Sequence, residues 1–345
     1  MKFRTRIVTA ITALAVTSAA LVGGSPSAPE PDVERTLTLA VSSDSLWGFV
    51  RADLGTQVHQ SAAYWKPLYD TIVKITPDLE IQPNLATEWS YNDDLTVLTL
   101  KLRDDVKFTD GTPVDAAAVK ANLDAFRNGG GGEASQSTGR ITDVAAPDAT
   151  TVVITLSGAD PSVLPGLAES AGAVFLPADL ENPDADKSVV PVGSGPYLLD
   201  EDNTTPGSVY TYVRNPDYWN PEAYPYDTLV LRPMPDVAAR MNALKAGEVD
   251  GAAVPAANAA DIEASGLTLN TGIANWAGLH ILDRNGEVVP ALADVKVRQA
   301  INMVFDRASI VKNVYQGYGV PNNQAFRDGS AAFVTGAFGL AAASV

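Results

Sequence analysis

The sequence predicts an α/β protein, and three kinds of observation predict it. Apolar residues alternate with polar ones over short runs, as at Leu98, Leu100 and Leu102, the two-residue period of a half-buried strand. Other stretches carry apolar residues at helical spacing between start and stop signals, as in Asp236 to Gly247. Turn residues such as Asn92-Asp93-Asp94 and Asp110-Gly111 punctuate the two. At 345 residues the chain suggests about two domains of roughly 150 residues each. Its hydrophobic content of 46% is enough to bury a sizeable core.

Taken in order, the chain opens with a processing signal. Lys2, Arg4 and Arg6 form a basic segment, and Ile7 to Leu21 is an apolar run too short to span a membrane comfortably. Small residues and Pro26 follow, so an export signal is expected to occupy residues 1–28. The arginines are not adjacent, which favours the general secretory route. Leu21-Val22-Gly23-Gly24 looks like a lipoprotein box with glycine in place of the lipid-bearing cysteine, which rules out lipidation there.

Thr36 to Val41 reads as a strand, followed by a polar segment, Ser42 to Leu46, and Trp47. A loop leaving the carboxyl end of a first strand is a common ligand-facing position in α/β sheets. Packing of Trp47 against the body is the alternative. Ser61 to Ile75 reads as a helix meeting a strand, with Pro67 as kink or boundary. From Gln82 to Phe126 the pattern is a strand bearing Trp89, a turn, a second strand, the Asp110-Gly111 reversal and a helix. Thr112 is expected as the N-cap and Pro113 at the first helical position, with Val114, Val119, Leu123 and Phe126 facing inward.

Gly129 to Gly132 lacks the lysine and Ser/Thr of a phosphate loop and reads as a flexible connection. Thr151 to Leu156 is a strand preceded by an Asp148-Ala149-Thr150 turn, and Pro161 to Ala173 is expected to be helical. Val192 to Tyr197 (VGSGPY) lacks the third glycine and the helix of a dinucleotide fingerprint, and reads as a tight crossover. Tyr210 to Val213 and Thr228 to Leu231 are strands, and Asn215 to Trp219 (NPDYW) is an aromatic turn between them. The helix Asp236 to Ala246 is expected to bury Val237, Met241 and Leu244 and to end at Gly247. Gly278 to Leu282 reads as a strand, Asp294 caps a helix facing inward through Val297, Ile301, Val304 and Phe305, and Ala308 to Tyr315 is a further helix. Residues 327–345 are rich in alanine and glycine with no periodicity.

Composition excludes more chemistry than it offers. The net charge is −17, and loss of the three basic residues of the export signal takes it to −20. That balance argues against nucleic acid or an anionic membrane surface as partner. The absence of cysteine excludes disulfides, thiolate metal sites and cysteine catalysis. Two histidines, His59 and His280, support neither a zinc cage nor a histidine relay. The acid pairs Asp93-Asp94 and Asp104-Asp105 sit in polar turns and read as solvated rather than glycosidic. No cofactor and no catalytic residue is expected.

Five ordered motifs, spread over residues 36 to about 325, resemble the family 5 extracellular solute-binding proteins of ABC importers, the oligopeptide, dipeptide and nickel binders. They are Pro83, Leu85, Ala86 and Trp89 with Leu102, Arg103, Val106, Lys107, Phe108, Asp110, Gly111 and Pro113; the VGSGPY crossover; the NPDYW turn; AGEVD at Ala246 to Asp250; and DVKVRQAINMVFDRASIV at Asp294 to Val311. The resemblance implies a type II periplasmic-binding-protein fold, two-lobed, with an extra α/β subdomain. Lobe I would take residues 36–60 and 190–270, the accessory subdomain 61–189, and lobe II would begin at 271–326. Family chains normally run well past this length and return to lobe I, so the resemblance implies an incomplete second lobe that exposes apolar surface, as after a frameshift or premature stop.

The implied role is capture of a peptide outside the cytoplasmic membrane and delivery to a permease and ATPase complex, with the membrane met only through the permease. Nickel or a nickel chelate is the rival ligand, and a secreted hydrolase is the alternative from another class. The acid that anchors the peptide amino terminus in the family lies beyond this sequence, so no anchoring residue is carried over. The ligand-binding candidates by position are Ser43, Ser45 and Trp47 after the first strand, and Trp276 and His280 at the lobe junction.

Overall fold

The computed structural model describes residues 35–44, 58–76, 80–128, 137–180, 190–271, 277–279 and 281–322. Along the chain come β1 (Thr36–Val41), α1 (Val58–Trp65), β2 (Val73–Ile75), β3 (Ile81–Pro83), β4 (Ala86–Tyr91) and β5 (Val97–Leu102). They are followed by α2 (Ala116–Asn128), β6 (Ile141–Asp148), β7 (Thr151–Leu156), α3 (Val163–Gly166) and α4 (Pro177–Leu180). Then come β8 (Tyr197–Thr205), β9 (Val209–Arg214), β10 (Thr228–Pro233), α5 (Val237–Ala246) and β11 (Gly251–Ala252). The last are α6 (Ala259–Ala264), α7 (Val295–Met303) and α8 (Arg307–Asn313).

Two sheets carry the cores. One has the order β11-β1-β10-β9-β8, with β1 parallel to both β10 and β11 and the β8–β9 hairpin completing it. The other is antiparallel, β4-β5-β7-β6, with α2 packed on it. Leu98, Leu100 and Leu102 point into that second core, as their alternation predicts. The Asn92 side chain closes the β4–β5 turn by accepting from the N–H groups of Thr96 and Val97. Val119 and Leu123 of α2 face the same core, while Phe126 packs in a second cluster with Tyr64, Tyr69, Phe175 and Tyr212.

Several expected boundaries move. The cap of α2 is Asp115, whose carboxyl accepts from the Ala118 N–H, because Thr112 is taken up by Asp110 and Pro113 pairs with Lys107 in a short bridge. Val114 therefore stands outside the helix, though still buried. Pro161 to Ala173 is not one helix but α3 and a single 3-10 turn at Ser170–Gly172. In α5 Arg240, Met241 and Ala243 are buried, Leu244 packs half-buried against the cluster of Ala40, Ala243 and Val249, and Val237 is half-buried; Asp236 and left-handed Gly247 cap it as expected. Residues 277–279 and 281–282 carry no strand, since no neighbouring strand among the described residues pairs with them.

Asp294 caps α7 as expected, but neither α7 nor α8 buries a residue. The face expected to turn inward is half-buried at Val297 and Ile301 and open to solvent at Val304, 80% exposed, and Phe305. Gly129 to Gly132, expected as a flexible connection, and the tail 327–345 lie outside the described residues.

The segment from Pro67 to Val73 joins the two sheets' territories. Leu68 O accepts from the Gly195 N–H, Pro67 O from Tyr197, Asp70 O from Val174 and Ile72 O from Ala86. The glycines of the VGSGPY crossover serve this contact, because a Cβ at Gly193 or Gly195 would overlap the Pro67–Leu68 backbone. Within the segment, Asp70 is 3% exposed. Its Oδ1 accepts from Tyr218 Oη at 3.1 Å and Asn84 Nδ2 at 3.2 Å; its Oδ2 accepts from Trp219 Nε1 at 3.1 Å and, more weakly, Ser194 Oγ at 3.4 Å. The Trp219 ring is in turn stacked by the Arg103 guanidinium, 3.5 Å from its centroid, with Lys74 at 5.6 Å.

Two outcomes follow for stability. Gly195→Ala forces a methyl group into backbone and is expected to cost about 3 kcal/mol in urea unfolding. Gly158→Ala, where the added carbon would sit 3.7 Å from Arg140, is expected to be near neutral. Burial raises the Asp70 carboxyl above its ordinary range, against the opposing pull of Trp219, Lys74, Asn84 and Tyr218. The folded state then holds that proton more readily than the unfolded chain, so this contribution is full below about pH 3.9 and is lost as pH rises through the raised value. Thermal melts across pH should show wild type gaining stability relative to Asp70→Asn on acidification. The opposite slope would mean that the four donors outweigh burial.

Candidate functional site

In the first sheet β11, β1 and β10 run parallel, so their carboxyl ends share one edge. Open α/β sheets place ligands outside such an edge. Three buried side chains shape the chain where it leaves these strands. Tyr64 sits near the end of α1, and its Oη donates to Ser43 O at 2.5 Å, two residues beyond β1. Tyr210 of β9 donates through Oη to Asp44 Oδ1 at 2.6 Å and accepts from the Gly207 N–H at 3.0 Å. Gly207 has a φ of 80°, a conformation that places its N–H toward the tyrosine with little strain for glycine.

The two tyrosine rings meet edge to face with centroids 4.9 Å apart, and Tyr212 Oη donates to Tyr64 O at 3.1 Å. Burial, reinforced by the nearby Asp44 carboxyl, pushes the Tyr64 hydroxyl well above the usual phenol range. The Tyr210 hydroxyl is pushed up to about 12, first by burial and then by its hydrogen bond to Asp44. Both hydroxyls therefore stay protonated at neutral pH and act as donors to the loop.

Arg240 of α5 does the equivalent work at the other strand exits. It is 4% exposed and donates to Met234 O and Pro235 O after β10 and to Ala253 O after β11. The Met234 N–H donates to Val41 O at 2.8 Å, which joins the β10 exit to the end of β1. Beside it lies a mainly apolar recess of about 510 Å³ lined by Pro233, Met234, Asp236, Asn242 and Glu248. No cluster of three or more His, Cys, Asp or Glu side chains suited to a metal ion occurs among the described residues.

Of the candidates named by position, Ser43 falls in this arrangement, where its carbonyl oxygen is bound by Tyr64. Ser45, Trp47, Trp276 and His280 lie outside the described residues. Sequence reasoning missed Asp44, Tyr64, Tyr210 and Arg240. The signal available for the tyrosines was their place on apolar faces of α1 and β9, where phenylalanine would serve packing equally well. Arg240 had no such signal, since a basic residue inside an amphipathic helix reads as solvated.

The profile of the family described as "Bacterial extracellular solute-binding proteins, family 5 Middle" matches residues 80–342. Among curated relatives, the glutathione-binding protein GsiB of Escherichia coli (strain K12) is 32% identical over 267 residues, covering 76% of this chain and 51% of that protein. The chain thus spans about half the length of the curated relatives it matches. Among solved structures, the binding protein AgaA of A. tumefaciens R10, in complex with agropinic acid, superposes with a TM-score of 0.65 at 26% identity, covering 87% of this chain and 60% of that one. NikZ of Campylobacter jejuni, in complex with Ni(L-His), gives a TM-score of 0.60 at 24% identity, covering 82% and 56%; at that identity the likeness is one of fold. Proteins of this family bind solutes for ABC transporters and are not enzymes, and no helix among the described residues is long and apolar enough to cross a membrane. The mixed α/β architecture is the one these solute-binding proteins share, and the chain belongs to the family 5 bacterial extracellular solute-binding proteins.

Proposed function

We propose that this protein captures a short peptide outside the cytoplasmic membrane and hands it to an ABC permease and its ATPase. The observation that carries the peptide reading is the 32% identity over 267 residues to a protein named for binding glutathione, itself a tripeptide. In this reading the five-stranded sheet belongs to lobe I and the β4–β7 sheet to the accessory subdomain. The ligand lies against the rim formed by the exits of β1, β10 and β11. The ligand-binding candidates in this reading are Ser43, Ser45 and Trp47 after the first strand, and Trp276 and His280 at the lobe junction.

A backbone-rich ligand suits such a rim. Peptide N–H and C=O groups pair readily with exposed main chain, in the manner of an added strand, and side-chain pockets then set selectivity. Export through residues 1–28 would bring the protein to this location. The nickel reading draws on a solved structure whose relation is one of fold. The hydrolase reading has no catalytic sequence motif to draw on.

Isothermal titration of the full chain with glutathione, di-alanine and nickel–histidine separates these. Saturable binding of glutathione or di-alanine, with the peptide recovered intact, is the expected result. Binding of nickel–histidine alone would replace the peptide reading with the nickel one, and cleavage of a peptide would overturn transport capture altogether.

A further inference from the structure

Tyr64 and Tyr210 carry hydroxyls that packing does not require. Their rings lie in an apolar cluster with Tyr69, Phe175 and Leu231, where a phenylalanine would fill the same volume without bringing a polar atom inward. Each hydroxyl is instead spent on the loop that leaves β1. Tyr64 Oη holds the Ser43 carbonyl at 2.5 Å, and Tyr210 Oη holds the Asp44 carboxyl at 2.6 Å. The tyrosines come from separate elements, α1 and β9, and touch each other at 4.9 Å, so the two tethers share one rigid base. Gly207 N–H fills the acceptor side of Tyr210 Oη, which orients that hydroxyl proton toward Asp44. A methyl added at Gly207 would approach Asp44 Oδ2 at 3.5 Å, so the hairpin turn also abuts the same carboxyl.

We propose that Tyr64 and Tyr210, by binding Ser43 and Asp44, are positioning residues that hold the start of the β1 exit, residues 42–44, in place for the ligand. The proposal rests on the peptide-capture reading above and adds to it the groups that preorganise the loop. A loop held before the ligand arrives loses less conformational freedom on binding, so the tethers act on affinity while the apolar rings act on stability. Asp44 is the link on the loop side, and what it must offer is an acceptor oxygen. Asparagine at that position keeps the acceptor, and alanine removes it.

The test uses the full chain with Tyr64→Phe, Tyr210→Phe, Asp44→Asn and Asp44→Ala, glutathione and di-alanine as probes, and amide exchange at Ser43 and Asp44. The expected result is that both phenylalanine variants and Asp44→Ala weaken probe binding about tenfold, the scale of one lost hydrogen bond. Their thermal midpoints stay near wild type, and exchange at residues 43 and 44 quickens. Asp44→Asn keeps most of the affinity. If wild type binds a probe and the variants bind it equally well, the positioning role is overturned while peptide capture stands. If exchange at Ser43 and Asp44 is unchanged in the phenylalanine variants, the tethers do not hold the loop and the role is overturned on that ground. Wild type that binds neither probe overturns the peptide-capture reading and the positioning role with it.

Discussion

A carboxyl group taken out of water is costly unless its lone pairs are filled, and Asp70 is buried at the place where the two sheets' territories meet. Its partners come from distant parts of the chain: Asn84 before β4, Ser194 in the crossover, and Tyr218 and Trp219 in the turn after β9. None of these segments can shift without leaving a buried polar atom unpaired. The backbone of Pro67 to Val73 repeats the constraint, since its carbonyls accept from residues 86, 174, 195 and 197. Close approach of the crossover to that backbone requires the glycines at 193 and 195. Asp70 and the glycines thus impose one geometry by different means, hydrogen bonding and lack of a side chain.

This arrangement gives the family motifs a structural meaning. Arg103 of the opening signature stacks on Trp219 of the NPDYW turn, Asn215 of that turn donates to Gly195 O of the crossover, and Thr109 N–H donates to Gly193 O. Three of the five motifs therefore meet at one junction. The strand exits that carry the proposed ligand rim are held by a different set, Tyr64, Tyr210 and Arg240.

How much of this could be read beforehand depended on whether the deciding interaction was local. The β4–β5 hairpin was legible because Leu98, Leu100 and Leu102 alternate and Asn92 closes its own turn. The ends of α5 were legible because Asp236 and Gly247 act within one helical turn. The start of α2 was misplaced because two capping residues compete: Thr112 is taken by Asp110 two residues before it, which leaves Asp115 to cap. On α5 the core-facing Met241 and Leu244 were legible, whereas burial of Arg240 was missed because it satisfies three carbonyls that belong to loops after other strands. The run from Gly278 to Leu282 has strand-like composition, but a strand needs a neighbour, and the described residues supply none. Of the candidate site, position after β1 pointed to Ser43, while Tyr64, which binds it, and Tyr210, which binds Asp44, come from distant elements that no local pattern brings together.

The central claim is that the Asp70 carboxyl couples the crossover, the aromatic turn and the segment before β4. A double-mutant cycle between Asp70→Asn and Trp219→Phe, read by urea unfolding, measures that coupling directly. The account predicts an interaction energy of about 1 kcal/mol or more, with the Asp70→Asn and Trp219→Phe losses overlapping because each removes the same hydrogen bond. Losses that simply add would contradict it, and would make the 3.1 Å contact between Trp219 Nε1 and Asp70 Oδ2 incidental to stability.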